Sequence, residues 1–236
     1  MECVVNVLIK VDRIGVYNIE NAFHGLRNPL ESWDKSDSEY KMGLDYTNHY
    51  IIGEEDMKLA LKLIKAGSDH RKFLRQIFVS MDITAPMTWW WDMDTYKVST
   101  VKNSTSRMHK LGNRLLTEKD FSWNEPTYNS KLYKTVDELK IINILMNNVK
   151  NHRKETLRYL NELILLWQET KDKNIWQIII DDLLESYIFL ATWTGNYEIL
   201  RNIYHARKNH KQYEFRDFCK IIETLPYSEL ITYKGD

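Results

Sequence analysis

Two stretches of the chain concentrate side chains that recognise phosphate groups and flat, hydrogen-bonding rings. The first, Thr95-Tyr96-Lys97-Val98-Ser99-Thr100-Val101-Lys102-Asn103-Ser104-Thr105-Ser106-Arg107, packs hydroxyls, an amide and three cations into thirteen residues. Charged donors hold anionic oxygens more strongly than neutral ones, and arginine adds a planar fork that fits a phosphate or a base edge. A solvated polar loop has the same composition, so this segment alone does not define a site.

The second stretch is a helix expected to open with Thr194 as its N-cap. At about 100° per residue, Asn196, Leu200, Ile203 and Arg207 fall on one stripe, with Ile199 at its edge. An amide and a guanidinium thus share an apolar face. An arginine placed there must meet a carboxylate such as Glu214, reach solvent along its stem, or face an anion or a base in a cleft.

Trp89-Trp90-Trp91 cannot all lie on one helix face, so at least one is expected exposed or held in an interface. Core packing with an oligomer contact and stacking on a base or flavin both fit this run. His205 and His210 are five apart, off the i, i+4 spacing of a helical metal pair, and read as ordinary histidines. No Gly-x-Gly-x-x-Gly, Gly-Lys-Ser/Thr or local nucleophile signature occurs, so the standard nucleotide folds are not expected.

The elements that must position these groups are legible in part. Residues 4–11 alternate around Val5, Val7 and Ile9 and predict a half-buried strand, and residues 28–47 are polar and turn-rich and predict a loop. Residues 54–65 predict a helix stopped by Gly67. Ile77, Val79, Met81 and Ile83 alternate with polar neighbours and predict a second strand, ended by Pro86, where a helix starts. Thr117-Glu118 opens a short helical turn before a loop around Pro126. Thr135-Val136-Asp137-Glu138 is a capping box. Leu157, Leu160, Leu163, Ile164 and Trp167 then form an apolar helical stripe, and further helices are expected near 174–190, 195–208 and 211–223. The pattern predicts an α+β fold, with a small sheet on the N-terminal side and a helical layer after it.

With 236 residues, 43% of them apolar, a single domain over 1–236 is expected, with loop-rich insertions near 28–47 and 120–133. The 33 Lys+Arg balance 33 Asp+Glu, so no global positive field holds extended nucleic acid, whereas a small anion needs only local cations. Two cysteines, Cys3 and Cys219, make no disulfide framework and no zinc cluster, so a reducing, cytoplasmic setting is expected. The N-terminus has no basic segment before an apolar run, and no stretch of about 18 apolar residues suggests a membrane span.

At the same two stretches the chain resembles the flavin-dependent thymidylate synthases (ThyX, the thymidylate synthase complementing proteins). That family carries Arg-His-Arg and then Ser-x-Arg downstream of a strand ending in an Ala-Pro-like turn. Here Ile83-Thr84-Ala85-Pro86 is followed by Thr95-Tyr96-Lys97, seven residues, and Thr105-Ser106-Arg107. The family's Thr-x-Asn-x-x-x-Leu-x-Asn-x-x-x-x-Arg with a following Gln-aromatic-Glu-apolar run is matched by Thr194, Asn196, Leu200, Asn202 and Arg207 and by Gln212-Tyr213-Glu214-Phe215. The likeness spans residues 4–10 and 70–223.

The resemblance implies a small, mainly antiparallel sheet against helices and a homotetramer binding FAD and dUMP where subunits meet, with NADPH and methylenetetrahydrofolate completing the reaction. It places Lys97, Thr105, Arg107 and Arg207 on the nucleotide, Arg207 orienting its base, and Gln76, Tyr96, Asn196 and Asn202 on the cofactor. The chain departs from the pattern at four places. Thr95-Tyr96-Lys97 stands for Arg-His-Arg, Asp92 for a glutamine and Gln76 for a histidine, and the region of Ile180 lacks an arginine. The implied functions are an enzyme that methylates dUMP or a related pyrimidine nucleotide, or an inactive homologue that binds or sequesters another nucleotide.

Overall fold

The computed structural model describes residues 9–44 and 46–235. In chain order the elements are β1 (Lys10–Tyr17), α1 (Ile19–Arg27), β2 (Glu39–Met42), β3 (Asn48–Ile51), α2 (Glu54–Ala66), β4 (Phe78–Pro86) and α3 (Met87–Met93). Then follow β5 (Val101–Ser104), α4 (Arg107–Lys110), α5 (Val136–Thr170), α6 (Lys173–Asp181), β6 (Ile188–Asn196), α7 (Tyr197–Arg207), α8 (Tyr213–Ile222) and α9 (Glu229–Thr232). Among the described residues no helix is long and apolar enough to cross a membrane. The residues group into two compact units, one of Ile9–Thr84, Trp89–Asn103 and the chain from Leu190 on, the other containing Ala85–Thr88 and Ser104–Phe189.

In the first unit a four-stranded sheet runs in the order β1-β4-β6-β5, and β2 and β3 form a separate antiparallel hairpin. β1 pairs antiparallel with β4 from Lys10↔Thr84 to Tyr17↔Phe78, with an irregularity between Asp12 and Gly15. The alternation of β4 works as its residue types require. Val79, Met81 and Ile83 are buried, while Ser80 and Asp82 turn to the other face. There Thr194 Oγ1 donates to Ser80 Oγ at 3.0 Å and Thr192 Oγ1 to Asp82 Oδ1 at 2.5 Å, joining β6 to β4. Helices α7 and α8 add Tyr197, Leu200, Ile203, Phe215 and Phe218 to the core, where Trp89 meets both phenylalanine rings within 5.4 Å.

The second unit is built on α5. Leu160 and Ile164 of its stripe are fully buried against Leu111, Leu116, Phe121 and Ile179. Gly112 permits the tightest approach here, since a Cβ on it would lie 2.5 Å from the Trp167 ring. Thr135 and Glu138 form the expected reciprocal cap.

Several expectations need correction. The strand read at 4–11 lies over residues 4–8 outside the described residues, and the observed strand occupies Lys10–Tyr17. The stretch 28–47 is not wholly loop, because Glu39–Met42 pairs with Asn48–Ile51 in a hairpin too polar to show apolar alternation. The helix expected over 174–190 ends at Asp181, and Ile188–Asn196 is a strand, so the sheet is not confined to the N-terminal side. Thr194 is therefore a strand residue, and the N-cap of α7 is Asn196, whose Oδ1 accepts from Ile199 N at 3.1 Å. A strand between two others is defined by partners distant in sequence, which local periodicity does not register. The remaining expected elements stand: α2 ended by Gly67 at φ 111°, β4, α3, the Thr117 turn, α5, α7 and α8. Of the tryptophan run, Trp89 and Trp90 are buried and Trp91 is exposed, as the fan of three requires.

Candidate functional site

Arg207 closes α7, and the backbone turns directly after it, with His210 N donating to Arg207 O at 2.9 Å. That turn brings the His210 ring back beside the guanidinium, where Nε2 lies 2.8 Å from Arg207 Nη1. α8 starts next, and its Phe215 ring lies 4.8 Å from the guanidinium carbon. From the other side of the sequence, α3 ends in a turn held by Thr95, whose amide and hydroxyl both donate to Asp92 O, and by Thr100, whose hydroxyl donates to Tyr96 O. This turn places Tyr96 so that its hydroxyl accepts from Arg207 Nε at 3.2 Å, and its ring lies 5.8 Å from the same carbon. A cation over aromatic faces is held in place without losing its donors.

The guanidinium is incompletely used. Asp92 Oδ2 is 3.7 Å from Nη1, beyond hydrogen-bond range, and the two side chains are 42% and 20% exposed. Among the described residues Nη2 has no hydrogen-bond partner. The His210 contact is also imperfect, because Nδ1 of that ring faces a second donor, Gln212 N, at 3.4 Å. A neutral imidazole accepts at one nitrogen only. Gln212 Oε1 is buried and has no hydrogen-bond partner among the described residues. Arg207 thus keeps an unmatched nitrogen, and Gln212, two residues beyond His210, keeps an unmatched buried oxygen. The pair with Glu214 raised by the sequence is not formed; the acid that faces Arg207 is Asp92.

Of the residues singled out from the sequence, Arg207 and Tyr96 are brought into contact. Lys97 is exposed one residue on and forms no ion pair among the described residues. Lys102 is committed to Asp94 and to the Trp90 face at 4.9 Å. Asn196 is buried and its Oδ1 is occupied as the helix cap, while Asn202 is exposed on α7. Gln76 is exposed, with its backbone oxygen accepting from Asn18 Nδ2. Thr105 and Arg107 belong to the other unit. Thr105 is exposed, and Arg107 sends Nη1 to the Met87 sulfur at 3.2 Å.

Sequence reasoning missed Asp92, His210 and Phe215 as contacts of Arg207. The four-residue spacing of Asp92 and Tyr96 across one turn was the available signal. No cluster of metal-ligating side chains exists among the described residues. A cavity of about 830 Å³ near Asn18, Asn21, Asn48, Tyr50 and Tyr227 has neither Arg nor Lys in its lining, so it lacks what an anionic nucleotide requires.

No protein-family model matches the chain, and no curated protein sequence does. Solved structures do. The chain is similar to thymidylate synthase X (ThyX) of Helicobacter pylori, crystallised with FAD and dUMP, at TM-score 0.63 and 15% identity over 96% of this chain and 97% of that one. A second structure of the flavin-dependent thymidylate synthase from Helicobacter pylori, also with FAD and dUMP, gives TM-score 0.62 and 16% identity over 95% and 98%. The chain has the flavin-dependent thymidylate synthase fold, with a sequence far diverged from these structures.

Proposed function

We propose that this chain is a nucleotide-binding protein of the flavin-dependent thymidylate synthase type, taking a pyrimidine mononucleotide such as dUMP or a close relative at Arg207. The observation that carries this reading is the guanidinium held against Tyr96 and Phe215 with Nη2 unmatched. A structural arginine has every guanidinium nitrogen engaged by the chain; this one keeps Nη2 for a base edge. Lys97, Thr105 and Arg107 are the further residues proposed to hold the nucleotide. The same fold in proteins crystallised with FAD and dUMP supports the choice of ligand class. Assembly into a homotetramer is part of the proposal, checked by the mass of the native protein in solution.

The fit to FAD is poor. None of Gln76, Tyr96, Asn196 and Asn202 offers a charged donor to its diphosphate, which backbone amides would then have to hold, and the Asn196 oxygen is occupied as a cap. Methylation of the pyrimidine with FAD, NADPH and methylenetetrahydrofolate is the active form of the proposal. The inactive form, a binder of a different nucleotide, is favoured by Thr95-Tyr96-Lys97, which offers one cation, and by the engagement of the Tyr96 hydroxyl with Arg207.

Thermal denaturation of the purified protein with pyrimidine mononucleotides tests binding. A ligand at about 100 times its dissociation constant adds about 2.7 kcal/mol, which raises the melting temperature measurably. The rise is expected in the native sequence and not in Arg207→Met. Absence of any shift with every pyrimidine nucleotide overturns the proposal. Flavin absorption with nucleotide-dependent NADPH oxidation separates the active form from the inactive one.

A further inference from the structure

Arg207 and Asp92 present a donor and an acceptor side by side, with Nη1 and Oδ2 3.7 Å apart and not hydrogen-bonded to one another. Neither carboxylate oxygen of Asp92 accepts a side-chain or backbone hydrogen bond among the described residues. At 42% exposure it is open to a ligand. An ionised carboxylate only accepts, and a guanidinium only donates. We infer that this pair selects an amino-substituted pyrimidine, a cytosine nucleotide, over the corresponding uracil nucleotide; the inference rests on the nucleotide reading of Arg207.

The two bases differ along the edge that such a pair reads. Cytosine offers a donor at its exocyclic N4 and acceptors at N3 and O2, so Asp92 accepts from N4 while Arg207 donates to N3 or O2. Carboxylates accept from the cytosine amino group in the same way where proteins read DNA bases. In uracil both adjacent positions invert. O4 is an acceptor and would face the Asp92 carboxylate, and N3–H is a donor and would face the guanidinium. Each mismatch leaves a polar group unmet as well as removing an attraction. The ion pair itself does not explain Asp92, since a part-exposed pair without a hydrogen bond contributes little.

Isothermal titration calorimetry of the full chain with dCMP and with dUMP, in the native sequence, in Asp92→Asn and in Arg207→Met, tests the assignment. The native protein is expected to bind dCMP at least about tenfold more tightly than dUMP. Asp92→Asn should reduce that preference to near parity, because an amide can donate or accept, while Arg207→Met should weaken both ligands. Equal or tighter binding of dUMP by the native protein overturns the base assignment and leaves the nucleotide pocket standing. An unchanged preference in a folded Asp92→Asn also overturns it. Failure of both nucleotides to bind the native protein removes the pocket and the assignment together. The native comparison decides even where the variant does not fold.

Discussion

Two arginines of the sheet-containing unit stand at opposite extremes, and the difference separates a structural cation from one available to a ligand. Arg27 at the end of α1 is 5% exposed, and Asp56 in the first turn of α2 is 1% exposed. Asp56 Oδ1 accepts from Arg27 Nε at 2.6 Å and from Nη2 at 2.5 Å, and Oδ2 accepts from the hydroxyls of Ser36 and Ser38. Nη1 donates to the backbone oxygen of Ser32 and Nη2 also to that of Lys35. Every guanidinium nitrogen is engaged by the chain. Arg207 has a firm contact to Tyr96, a shared one to His210, a distant carboxylate and an unused nitrogen. Both side chains are long cations near apolar surface, and only the count of satisfied hydrogen bonds tells them apart.

Breaking the closed pair should have the largest effect. Asp56→Ala leaves Arg27 buried without its carboxylate and should cost about 3–5 kcal/mol in denaturant unfolding. A loss below about 1 kcal/mol would mean that water or a rearranged loop replaces the acid. Next comes Glu198, which accepts two bonds from Arg71 Nε and one from Nη2 and whose charge also acts on the buried Arg201. Glu198→Gln should destabilise by about 1.5–3 kcal/mol, read in the same unfolding assay.

Arg207→Met is the sharpest contrast. Its stability should change by less than about 1 kcal/mol, because the ion pair removed is loose and part-exposed. Its nucleotide response should vanish. A stability loss as large as that of Asp56→Ala would place Arg207 with the structural arginines.

A weaker effect belongs to the half-buried Arg114–Asp120 pair of the other unit. Burial pushes the Asp120 carboxyl up, but hydrogen bonds from Arg114 and Thr117 outweigh it, so its pKa is held below the ordinary value. A depressed folded value means that the stabilisation is complete above the unfolded pKa, about 3.9, and is lost as pH falls through the folded one. Asp120→Asn should therefore lower the melting temperature at neutral pH and flatten its decline below about pH 4. The smallest effect is expected at Arg158, whose partners Glu155 and Glu162 lie on the same exposed face of α5. Arg158→Ala should leave the melting temperature unchanged within error.

How far the site was legible follows from these same residues. Arg207 was found because helical periodicity placed a cation on an apolar stripe, and Tyr96 because it sits in a polar, cation-rich segment. Asp92 and His210 escaped, since their importance lies in facing Arg207 across a turn and across the fold. For the same reason the strand Ile188–Asn196 escaped, its first residues falling at the end of the helix expected over 174–190 and its last at the start of the next. Its place between β4 and β5 is a matter of pairing with residues far away in the chain.

The sequence by itself determined the features that depend on near neighbours: the alternation of β4, the stop at Gly67, the reciprocal cap of Thr135 and Glu138, and the exposure of at least one of the three tryptophans. Each follows from backbone geometry over a few residues, where 2-residue and 3.6-residue periods act directly. Only the tertiary structure decided that Asn196 and not Thr194 caps α7, and that Asp92 and not Glu214 faces Arg207. Cap choice depends on where the strand before it stops pairing. A charge contact depends on which side chains the packed core brings within a few ångströms, and neither is encoded by spacing along the chain.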